Sequence, residues 1–171
     1  MKGWHCGFLY QSKSVTRNVM NHPECERVLN LLFDAFKDVE RPEPLANRQG
    51  SQFPEEVDSF NNTDWDHATY SDFSEGADGA TVCPARSKVY LLPRLFKIVL
   101  LRRSGAAKAQ AVDNLSMELE SWPIDEEVQQ LLDTAQKAAI IAAWYYLDQH
   151  LYAPGGSHVG RALSHHWQMP P

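Results

Sequence analysis

The sequence predicts a mostly α-helical chain: a single compact multi-helix domain with a loosely held N-terminal arm and C-terminal tail. Three observations predict it. Apolar residues recur at i, i+3, i+4 and i+7 in several segments, these segments are separated by proline, glycine and polar clusters, and no alternating run is long enough to demand a sheet. With 171 residues and 43% apolar content, the chain is the size of one ordinary domain with one core.

Residues 1–19 carry no acid and no helical or strand periodicity, and are read as an arm or as an extension from an upstream start with Met20 as the internal alternative. The helical domain is expected over 20–153. Asn21 and Glu24 form the N-x-x-E pattern of a capping box with Pro23 in the first turn, and Cys25, Val28, Leu29, Leu32, Phe33 and Phe36 follow at helical spacing. A helix is therefore expected from Pro23 to about Asp38. Pro42 and Pro44 stop it, because proline lacks the amide proton and restricts the residue before it.

Short helices are expected over Pro54 to Phe60 and Thr63 to Phe73, the second opened by a Thr63/Asp66 capping pair, with Ser74 to Gly79 as a loop. Cys83-Pro84 begins the most apolar run, in which Ala85, Val89, Leu92, Phe96 and Val99 share one face. Pro93 in its interior predicts a kink or a break into two helices, since an interior proline costs about 3 kcal/mol. Gly105 ends the run, with Arg102 and Arg103 in its last turn complementing the helix dipole.

Ala107, Ala111, Leu115, Leu119 and Trp122 predict a further helix. Pro123 separates it from the longest one, expected from Asp125 to about Tyr152 and apolar nearly all round in its second half. Ala153-Pro154-Gly155-Gly156 terminates that helix, and residues 154–171 are read as an irregular tail. Trp65, Trp122, Trp144, Tyr145 and Tyr146 are assigned to the core, with a pocket or partner interface as the alternative.

Charge narrows the function. Net charge is −6, and eight acids with no lysine or arginine lie between Gln49 and Ala85, followed by seven bases and no acid from Arg86 to Lys108. The two blocks either neutralise each other within the fold or leave a surface for a partner. The partner-binding candidates are Glu55, Glu56, Asp58, Asp64, Asp66 and Asp72. A metal-dependent enzyme built on the Asp58–Asp72 cluster is an alternative, although neither an EF-hand loop nor an H-E-x-x-H pair is present. A nucleic-acid binder using Arg86–Lys108 is a weaker one, because those bases point along different helical lines and the net charge repels a polyanion.

No nucleophile elbow or phosphate-cradling loop occurs, so no catalytic residue, metal site or cofactor is assigned. Cys25 falls on the apolar face of the first helix and is read as inert core. Cys6, Cys25 and Cys83 are widely spaced, which fits a reducing cytoplasm, and no stretch is apolar enough to span a membrane. The expected partner is another protein.

AFKDVERP at Ala35–Pro42, YLLPRLF at Tyr90–Phe96 and QKAAIIAAWYYL at Gln136–Leu147, with Trp65 between the first two, resemble in order and spacing a family of small bacterial proteins classified as a domain of unknown function. The chain departs from that pattern at Leu91, Arg94 and Leu95. The resemblance implies a mostly helical domain and brings no catalytic residue.

Overall fold

The computed structural model describes residues 23–49, 51–101, 115, 117–150 and 158–169. The expectations for residues 1–19, for Asn21, for Arg102, Arg103 and Gly105, and for the stop at Ala153–Gly156 lie outside these residues. All regular structure among the described residues is helical. Helices α1 (Pro23–Ala35), α2 (Pro54–Asn62), α3 (Tyr70–Glu75), α4 (Ala77–Thr81) and α5 (Ala85–Leu100) precede a helical stretch at 117–121 and a 3-10 turn at Trp122–Ile124. Helices α6 (Glu126–Leu131), α7 (Thr134–His150) and α8 (Val159–His166) follow.

The apolar stripe of α1 buries Cys25, Val28 and Leu32 as its spacing requires. That stripe packs against α5 and α7. Helix α5 is deeply buried, with Leu91, Leu92, Leu95, Phe96 and Leu100 all fully buried. It is one uninterrupted helix, so the expected break at Pro93 does not occur. A proline removes one backbone donor and crowds the preceding turn. Here the Arg94 guanidinium folds back and donates from Nη1 to the Tyr90 carbonyl at 2.7 Å, which gives a carbonyl of the crowded turn a side-chain donor.

Four other expectations are corrected. The long helix expected over Asp125–Tyr152 is two helices, because Asp133 and Gln136 form a reciprocal cap: the Gln136 amide donates to Asp133 Oδ1 at 2.8 Å and the Asp133 amide to Gln136 Oε1 at 3.0 Å. A fresh N-terminus is thereby satisfied at Thr134. The capping pair ahead of Phe73 is Thr69/Asp72, not Thr63/Asp66, and the Thr63 hydroxyl instead donates to the Ser59 carbonyl at 2.8 Å. Ser74–Gly79 is not a loop: α3 runs through Ser74 and α4 begins at Ala77. Helix α4 lies so close to α2 that a Cβ on Gly79 would sit 2.4 Å from Phe60 Cγ. Only glycine permits that approach.

The tail beyond residue 154 is likewise not wholly irregular, since α8 docks on α7. A Cβ on Gly160 would lie 3.0 Å from the Tyr145 amide nitrogen, so the two helices touch backbone to backbone. Leu163 is buried there, and the Gly160 amide donates to Asp148 Oδ2 at 3.3 Å. Trp65, Trp122, Trp144 and Tyr146 are buried in the core, whereas Tyr145 is half-buried.

Candidate functional site

The acidic stretch folds as α2, the turn at Trp65–His67, α3 and α4, held to the rest of the fold through apolar anchors. Val57 and Phe60 bury one face of α2, and Trp65 is 1% exposed with its indole N–H donating to the Phe60 carbonyl at 3.0 Å. The Arg41 side chain donates to the Asn61 carbonyl at 2.6 Å and to the Thr63 carbonyl at 3.3 Å, closing the C-terminal end of α2. Apolar residues turned inward leave the carboxylates of the stretch on its outer side.

The predicted acids meet different fates. Asp58 pairs with Arg48 at 3.4 Å, and Asp64 with the His67 ring at 2.9 Å. Asp66 reaches the basic block: its Oδ1 lies 2.9 Å from Arg94 Nη2, and the Asp66 carbonyl accepts from Lys97. Asp72 Oδ2 accepts from the Thr69 hydroxyl and amide, both at 2.6 Å. Glu56 accepts the Asp78 amide at 3.2 Å, and Asp78 accepts from the Ser51 hydroxyl. Glu55 is exposed and has no such partner among the described residues. The His67 hydrogen bond holds the Asp64 carboxyl below its usual value, and the Thr69 hydrogen bonds do the same for Asp72.

These pairings disperse the carboxylates. Among the described residues no three His, Cys, Asp or Glu side chains are gathered where they would hold a metal ion. Three of the four described bases of the block are committed: Lys88 pairs with Asp125 at 2.7 Å, Arg94 with Asp66, and Lys97 with the Asp66 carbonyl, while Arg86 is exposed and has no ion pair among the described residues. Asp66 is thus the one acid of the stretch that meets the block across the fold among the described residues. Sequence order alone does not show that the link runs through Arg94.

Sequence reasoning did not single out the half-buried carboxylates Glu120 and Asp148. Burial raises the Asp148 carboxyl above its ordinary value, and it raises Glu120, on which the Asp148 charge also acts. Asp148 Oδ1 is buried without a hydrogen-bond partner. Burial also keeps both described cysteines as thiols, pushing Cys83 up to about 12 and raising Cys25, so neither has the depressed value a nucleophile needs. A groove of about 350 Å³ between α1 and α7, lined in part by Val28, Ile141, Ala142, Tyr145 and Met169, contains none of the predicted acids.

No protein-family model matches the chain, and neither the curated proteins nor the solved structures hold a match to it. No helix among the described residues is long and apolar enough to cross a membrane.

Proposed function

We propose that this protein works by binding another protein, as an inhibitory or immunity-type partner, through the acidic surface carried by residues 55–78. One observation supports the reading above the others: Glu55, Asp64 and Glu75 are exposed, and no lysine or arginine among the described residues pairs with them. An uncompensated negative surface raises the rate of encounter with a basic partner and orients it before contact. The likeness to the uncharacterised bacterial family and the wide spacing of the cysteines support placing this activity in a bacterial cytoplasm.

The test is affinity capture from the cells that make the protein, followed by association kinetics with the captured partner. Glu55→Lys with Glu75→Lys should slow association several-fold at about 50 mM salt, lose that difference at about 500 mM, and leave the melting temperature unchanged. A partner whose association rate ignores both reversals removes the acidic surface from its recognition.

A further inference from the structure

Five large apolar side chains are exposed among the described residues, and Phe53, at 52% exposure, is the one that lies within the acidic stretch. It occupies the N-cap position of α2, where the side chain makes no capping hydrogen bond. Ser, Thr, Asp or Asn at an N-cap accepts from a free amide of the first turn, and phenylalanine cannot. Phe53 therefore neither caps its helix nor buries its ring. A Ser, Thr, Asp or Asn here would cap the helix, so the exposed ring is available to a partner at a position where a capping residue is the local preference.

The backbone beneath the ring is fixed. The Phe53 amide donates to Ser51 Oγ at 2.9 Å, and its carbonyl accepts from the Glu56 amide at 3.1 Å and the Val57 amide at 3.3 Å. Ser51 is in turn bonded to Asp78, whose amide donates to Glu56. The ring is thus presented from a hydrogen-bonded turn, so little conformational freedom is lost when it is covered. Glu55, Glu56, Asp58 and Asp78 stand on or beside this turn, and the base paired with one of them among the described residues is Arg48, which Asp58 engages.

Resting on the proposed protein-binding role, we infer that Phe53 is the apolar anchor of that surface, and that the partner is a protein presenting a basic segment with apolar side chains interleaved. Charge complementarity selects this occupant, because a purely apolar partner would leave the surrounding carboxylates desolvated and unpaired. The acids supply attraction at a distance, and the ring supplies the desolvated contact that holds the complex together.

Two synthetic decapeptides test this, one of lysine alone and one alternating lysine and leucine, titrated into the isotope-labelled full chain and followed by amide shifts. The alternating peptide should bind about tenfold more tightly than decalysine, with its largest shifts over residues 51–58. Phe53→Ser, which restores a capping side chain, should erase that advantage, leave decalysine binding intact, and hold or raise the melting temperature. Decalysine binding without any advantage from leucine, an advantage that survives Phe53→Ser, or shifts centred elsewhere would overturn the anchor alone. A fall of several degrees in the melting temperature of Phe53→Ser would make the ring a structural element and overturn it too. Failure of both peptides to bind removes the acidic-surface reading and the anchor with it.

Discussion

Asp66 and Arg94 join the two charge blocks of the chain: Asp66 Oδ1 lies 2.9 Å from Arg94 Nη2, while the guanidinium carbon sits 3.6 Å from the Tyr90 ring centroid and Nη1 donates to the Tyr90 carbonyl. The Arg94 side chain is 13% exposed and that of Asp66 52%. The arginine is held on three sides, and the aspartate neutralises it from the solvent side.

Asp66→Asn leaves a largely buried guanidinium without its carboxylate. It should cost about 1 to 2 kcal/mol in urea unfolding, above a surface ion pair and below a fully buried one because water still reaches Asp66. Glu55→Gln, which breaks no ion pair and removes only a charge from the first turn of α2, should cost no more than about 0.5 kcal/mol. Equal stabilities for the two variants would mean that the link between the blocks is not structural.

Trp144→Ala should destabilise the fold by about 3 to 5 kcal/mol, the range for deleting a buried large aromatic. Trp144 is fully buried on α7 with its ring edge-on to Phe96, the centroids 5.8 Å apart. Its indole nitrogen has no hydrogen-bond partner, so Trp144→Phe removes an unsatisfied donor along with the volume and should lose well under half as much. Chemical denaturation of the three proteins separates the two contributions.

Asp148 gives a pH dependence with a defined sign. Its folded-state carboxyl is raised by burial, so its contribution to stability is fully present below the unfolded carboxylate value and is lost as pH rises through the higher folded value. Asp148→Asn keeps an acceptor for the Gly160 amide and removes the charge that also raises Glu120. The variant should therefore gain melting temperature relative to the parent as pH is raised from about 4 to about 7. The depressed carboxyls of Asp64, Asp72 and Asp125 act in the opposite direction but are common to both proteins and cancel in the difference. A constant offset across that range would mean that folding does not raise the Asp148 carboxyl.

The amphipathic periods from Cys25 to Phe36 and from Val57 to Phe60, and the run from Ala139 to Leu147 that is apolar nearly all round, were enough to specify helices and what they bury, because burying apolar surface dominates the energy of each segment. The charge diblock was equally legible in sequence order. The Asp133/Gln136 cap was present as a Asp-x-x-Gln pattern and lost to the continuous apolar period around it. Helix α4 and helix α8 were not legible: five and eight residues are too few to stand alone, and each owes its conformation to a glycine that lets it press on a neighbour, Gly79 on Phe60 and Gly160 on Tyr145. The partner of Asp66 was also beyond the sequence, since long-range pairing depends on which way α5 turns beside the Trp65–His67 turn. Local propensity and periodicity determine the helices and their inward faces, whereas tertiary packing alone decides which carboxylates are neutralised and which remain free on the surface.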